Sequence, residues 1–288
     1  MKPSDIFTVA SHALDIVRID PTNPEHIRLF AQAYEEIYMP AFLIPEEREA
    51  YERLIDLSNG ADESREVSIF LAGRDLADPD KRKISGVLIG SYFYEIKAGL
   101  LAYIAIDPSE QGNGLGRLLI GLMREHFHAT ARMNGDELNT FFVEVKDPAV
   151  VNDEIDPFGA EKRLNIYHAL GARLIPFNFI GPSLTEERVP YECDNLMFFP
   201  TENKDMPSFE DVRNYLHTIY NGDESEPGYQ DVMDNFMGYY INNADLSHEN
   251  PMSQPVLPNQ EIIKLACGCC HDRPIRPLPV LGLHPEFV

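Results

Sequence analysis

Gln111-Gly112-Asn113-Gly114-Leu115-Gly116-Arg117 is the segment of this chain whose residue types and spacing best suit chemistry. It follows an apolar, β-prone stretch at residues 100–106 and the polar turn Asp107-Pro108-Ser109-Glu110. Leu118, Leu119, Leu122, Met123 and Phe127 then recur at helical spacing, so a helix opens at the glycines. Glycines let a backbone approach a ligand closely because no Cβ intervenes. The first N–H groups of a helix lack intrahelical partners, and its dipole is positive at that end. Strand, glycine turn and helix start in this order make an anion site suited to a nucleotide's pyrophosphate.

The spacing decides which nucleotide. A dinucleotide fingerprint requires G-x-G-x-x-G, whereas the glycines here fall as G-x-G-x-G. A triphosphate loop requires Lys followed by Ser or Thr after its last glycine, and here Arg117-Leu118 follows. What fits is Gln-x-x-Gly-x-Gly, formed by Gln111, Gly114 and Gly116 directly after a strand. That pattern resembles the acetyl-coenzyme A loop of the GCN5-related N-acetyltransferases.

The resemblance implies a set of roles. Gly112, Asn113, Gly114, Leu115 and Gly116 would offer amides to the pyrophosphate of acetyl-coenzyme A, with Gln111 opening the motif. Arg117 would either meet a phosphate or face solvent. The strand before the loop would splay from its neighbour, leaving the backbone of Ile104, Ala105 and Ile106 free for the pantetheine arm. A tyrosine four residues ahead of a glycine at the end of the next helix is the second family feature, here Tyr167-His168-Ala169-Leu170-Gly171. Tyr167 would protonate the departing thiolate, a reasonable transfer between a phenol of pKa ~10 and a thiol of ~8.5; otherwise it is a core aromatic.

The implied reaction is direct attack of an amine on the acetyl carbonyl, with no covalent enzyme intermediate. An amine of pKa ~10 is mostly protonated at neutral pH, so a base or water chain must take its proton. Several family members place a glutamate two positions before the aromatic that here is Tyr103, but this chain has Leu101 there. Glu144 is the best substitute, because Val143 and Val145 on the same strand should face the other way into the core. A half-buried carboxylate has its pKa raised, which suits a base; a surface ion pair is the other reading of Glu144. Tyr103 is a weaker candidate. Asp147, Asp153, Glu154 and Asp156 could line a pocket for a cation or form a solvated acidic loop.

These residues need elements to hold them. Residues 14–19 read as a first strand, and Asn23 with Pro24 opens a helix through Ile27, Phe30, Ala31, Tyr34 and Ile37. A second helix opens at Pro45, carries Tyr51, Leu54 and Ile55, and closes at Gly60. Strands are expected at 67–71 and 84–96, joined by a charged loop at 73–83. After the glycine loop the helix runs to about Arg132. A buried strand at 140–145 and a helix at 160–170 follow, then strands at 173–176 and 195–199. The element order is that of the acetyltransferase family, and the resemblance implies a mixed α/β fold with a central mixed, mostly antiparallel sheet flanked by helices. The expected domain spans residues 1–204, followed by a C-terminal extension at 205–288. There Ser208 caps a helix bearing Val212, Tyr215, Leu216 and Ile219, a second helical piece covers about 231–240, and prolines rule out long elements from Pro251.

Composition narrows the partners. With 47 acidic and 24 basic residues among 288, the net charge of −23 disfavours nucleic acid and anionic membrane surfaces. It favours a small cationic amine, although solubility alone also accounts for it. No apolar run approaches the ~20 residues needed to cross a bilayer. The start lacks signal-peptide character and the 4 cysteines do not make a disulfide framework, so a reducing cytoplasm is expected. Cys267, Cys269, Cys270 and His271 stand too close together for an ordinary zinc site, so no metal is expected. A homodimer is left open. The chief rival in another class is a non-catalytic acyl-coenzyme A sensor or interaction module on the same fold, for which the absent strand glutamate speaks.

Overall fold

The structure, a computed structural model, describes residues 14–44, 47–151, 158–182, 194–202 and 204–244. Strand β1 (Asp15–Arg18) leads to helix α1 (Pro24–Ala33), where the Asn23 side chain accepts from the Glu25 amide at 3.0 Å. The helix passes into a π-helical turn at Tyr34–Tyr38 and a short α2 (Met39–Ala41). Helix α3 (Tyr51–Ser58) starts later than the expected Pro45, with Ala50 in extended backbone at its N-cap. Strands β2 (Arg65–Arg74) and β3 (Lys83–Phe93) are longer at their shared loop than the charges suggested. Strand β3 stops at Phe93 because the chain turns into β4 (Ala98–Ile106), with Lys97 at φ 54°. Helix α4 (Leu115–Met133), β5 (Thr140–Lys146), α5 (Ala160–Ala169), β6 (Arg173–Leu174) and β7 (Asp194–Phe199) complete the sheet and its first covering.

The sheet order is β1-β2-β3-β4-β5-β7-β6, and β4 with β5 is the one parallel pair among the described strands. One face packs on α4 and α5: Phe70, Leu88, Leu101, Phe141, Val143 and Val145 meet Leu119, Met123, Phe127 and Tyr167. Contact is close enough that a Cβ on Gly99 would lie 2.3 Å from the Phe127 ring. On the other face, α1, the π-turn and α3 cover β2, β3 and the far end of β4.

Helices α6 (Phe209–Ile219) and α7 (Tyr229–Ala244) cover the rest of that second face. Ser208 and Asp211 form a reciprocal capping box at the start of α6, which fixes the helix entry. Val212, Tyr215, Leu216, Tyr220, Val232 and Phe236 join Phe142, Leu196 and Phe198 in one core, so residues 209–236 are packed against the sheet. No helix among the described residues is long and apolar enough to cross a membrane.

Candidate functional site

The site begins with one extra residue. Leu101 pairs with Gly90 on β3 but Tyr103 pairs with Ile89, so Ala102 is an unmatched bulge residue in β4. A bulge bends its strand and sharpens its twist. On the other side of β4, pairing with β5 runs from Ala98 with Thr140 to Leu101 with Val143 and goes no further, although both strands continue. The strands therefore part at the bulge. Ile104, Ala105 and Ile106 lie in the parted stretch and, among the described strands, find register partners on β3 alone. Ala105 is buried against the α1 side, while Ile104 and Ile106 pack toward α4.

The glycine loop closes the wide end of this opening. Gly112 and Gly114 both have φ 79°, in the left-handed region that favours glycine, and Gly114 is the residue from which α4 starts. A Cβ built on Gly112, Gly114 or Gly116 would meet nothing within 4 Å, so the space beside them is open. Gln111, Asn113 and Arg117 are exposed around it, whereas Leu115 turns inward and is buried. The Gln111 amide donates to the Ile106 carbonyl at 3.2 Å, tying the loop to the end of β4. Glu110, just before the loop, pairs with Lys83 at 2.8 Å and Arg74 at 3.8 Å.

Tyr167 and Glu144 occupy opposite faces of the sheet at this opening. Tyr167 is buried on the α4–α5 side, its ring edge-on to Phe199 at 6.2 Å. Burial pushes its phenol up to about 12, with Arg163 opposing, so it is protonated throughout the neutral range. Glu144 lies on the other face, as the alternation with Val143 and Val145 requires. That face is covered by α6, and the Tyr215 hydroxyl donates to Glu144 Oε1 at 2.8 Å. Burial raises the Glu144 pKa, and the Tyr215 hydrogen bond lowers it by less.

Around Glu144 stand Asp194 and Lys146, which the sequence did not single out for chemistry, and Tyr103, which it offered as a weaker candidate. Asp194 on β7 is directly opposite Lys146, diagonal to Glu144 on the same face. Burial, reinforced by the Glu144 charge and opposed by Lys146, brings Asp194 up to about 7. Lys146 also pairs with Glu47. Tyr103 packs edge-on to Tyr38 at 5.1 Å and Phe42 at 5.2 Å, and burial holds its phenol well above the ordinary range. Asp147 spends Oδ1 on the Ala149 amide at 2.8 Å, while Asp153, Glu154, Asp156 and the cysteine cluster lie outside the described residues. Among the described residues no group of His, Cys, Asp or Glu suits a metal ion.

No family model and no curated protein matches this chain. Solved structures do. One, described as a GNAT-family acetyltransferase from Bacteroides thetaiotaomicron, is 20% identical over 66% of this chain and 93% of its own, with a TM-score of 0.42. The ribosomal-protein-S18-alanine N-acetyltransferase from Escherichia coli is 15% identical, covers 66% and 97%, and has a TM-score of 0.39. The spermidine N-acetyltransferase from Vibrio cholerae in complex with CoA and spermine is 15% identical, covers 65% and 94%, and has a TM-score of 0.41. The sheet is mixed and mostly antiparallel, its parallel pair parts at a bulge, and a helix starts from the glycine loop in front of it, which is the arrangement expected from the resemblance to the GCN5-related N-acetyltransferases.

Proposed function

We propose that this protein is an N-acetyltransferase that moves an acetyl group from acetyl-coenzyme A to a primary amine, of a small cationic molecule or of a protein. The observation that carries the reading is the parting of β4 from β5 after Leu101 and Val143, in line with the open glycine loop. The residues present fit the coenzyme. An unpaired strand edge accepts an extended amide chain as if it were another strand. Positive-φ glycines and the first turn of α4 offer N–H groups to a pyrophosphate.

The chemistry assigned to the two faces follows from their electrostatics. An ammonium is drawn to the Glu144 and Asp194 side, where two carboxylates stand close and Lys146 is engaged by Glu47. One proton of the ammonium passes to solvent, which frees the nitrogen lone pair, and Glu144 takes the second as the nitrogen bonds to the acetyl carbon and the C–S bond breaks. Tyr167, still protonated, gives its proton to the departing thiolate from the opposite face. Solvent then restores both groups. A panel of amines and acyl donors, followed by free-thiol release, tests this reading. Thiol release that depends on an amine supports it. Coenzyme binding without turnover toward any amine favours the sensor reading instead.

A further inference from the structure

We infer that Tyr215 is a positioning residue: its phenol, delivered by α6 from beyond the sheet, fixes the Glu144 carboxylate that takes the amine's proton. This deepens the acetyltransferase reading and rests on it. Tyr215 is fully buried and stacks on Phe142, with centroids 4.2 Å apart and planes at 25°. Phe142 and Glu144 are two residues apart on one strand, so their side chains share a face at a spacing of roughly 7 Å. One tyrosine spans that step, with its ring on Phe142 and its hydroxyl on Glu144 Oε1 at 2.8 Å.

A phenylalanine would fill the same stack. The hydroxyl is what differs, and its one hydrogen bond among the described residues goes to Glu144. Oε1 is thus held while Oε2 takes no hydrogen bond among the described residues, which leaves one oxygen for the proton. The helix that brings Tyr215 is itself anchored. Its cap is closed by Ser208 and Asp211, Lys204 holds Asp211 at 2.7 Å, and the Tyr220 hydroxyl donates to the Ile180 carbonyl at 3.0 Å. The other charged and titratable groups near this pair are Asp194 from β7, Tyr103 from β4, Tyr220 at the C-cap of α6, Lys146 from β5 and Arg65 from β2.

The test is Tyr215→Phe in the full chain, assayed with an amine that the wild type acetylates. The variant is expected to remain folded by near-ultraviolet circular dichroism and to bind acetyl-coenzyme A with unchanged affinity. Its kcat/KM for the amine should fall by about tenfold or more, the scale of a hydrogen bond to a charged group. The acid limb of its pH–rate profile should move to higher pH, because the bond that favoured the carboxylate is gone. Glu144→Gln and Glu144→Gln/Tyr215→Phe should be equally slow, a comparison that does not depend on the stability of the single variant. A Tyr215→Phe enzyme with wild-type kcat/KM and profile overturns this inference alone, as does a further loss in the double variant. A wild type inactive toward every amine overturns the acetyltransferase reading together with it.

Discussion

Leu101 and Val143 face each other as the last pair between β4 and β5, and the residue after Leu101 is the bulge at Ala102. The two facts have one cause. Ala102, the extra residue of β4 in its pairing with β3, bends that strand, so the parallel pair opens where the bulge sits. Leu101 and Val143 are each 1% exposed, which anchors the hinge of the opening in the core beneath α4.

Removing the Tyr167 hydroxyl separates its acid role from its packing. Tyr167→Phe keeps the edge contact with Phe199 and is expected to bind acetyl-coenzyme A normally while kcat falls roughly 10²-fold or more. Because burial raises this phenol to about 12, no basic limb near pH 9 in the wild-type profile should vanish in the variant. Stopped-assay kinetics across pH provide the check, and full turnover by the variant removes the role.

Asp194 should make the fold less stable as pH rises. Its native pKa of about 7 lies above the ordinary 3.8, so between those values the native state binds more protons than the unfolded one. The stability that Asp194 supplies is thus fully present below pH 3.8 and is lost as pH rises through about 7. Asp194→Asn should remove that decline, and Glu144→Gln should reduce it by taking away a facing negative charge. Denaturant titrations at several pH values measure both.

Glu66 should act with the opposite sign. Burial opposes its ionisation, but the hydrogen bond and charge of His126, the Arg18 guanidinium at 2.7 Å and the Ser68 hydroxyl hold it down at about 2. The stability it supplies is present above pH 4.5 and is lost as pH falls toward 2. Glu66→Gln should flatten that acid limb without altering acetyl-coenzyme A affinity.

Gly99 should tolerate no side chain. A Cβ there meets the Phe127 ring at 2.3 Å, so Gly99→Ala is expected to cost about 1–3 kcal/mol by overpacking. Phe127→Ala should cost about 3–5 kcal/mol through the opposite defect, a cavity between α4 and the sheet. Thermal unfolding of the two variants compares them directly.

What was legible in the sequence is what is local. The Asn23 and Ser208 caps, the glycine turn and the stripe of α4 depend on residues a few positions apart, and each stands where expected except Leu118, which faces solvent while Leu119, Met123 and Phe127 are buried. Alternation also placed Glu144 opposite Val143 and Val145. It could not show that α6 covers the Glu144 face, because Tyr215 lies 71 residues away and periodicity marks it only as apolar. The same limit hid Asp194, whose neighbour Lys146 is fixed by strand register. The opening itself was read from family likeness. Its physical cause, the unmatched Ala102, leaves no mark in residue type.

The central claim is that the parted strands and the glycine loop hold acetyl-coenzyme A. Isothermal titration of the wild type against Gly116→Glu tests it most directly. Position 116 has open space for a side chain and no positive φ, so the variant should keep the wild-type melting midpoint. The wild type is expected to bind acetyl-coenzyme A, and the variant, with a carboxylate placed against the pyrophosphate, to lose at least tenfold in affinity. Equal affinity in the two proteins, or no binding by the wild type, would contradict the assignment.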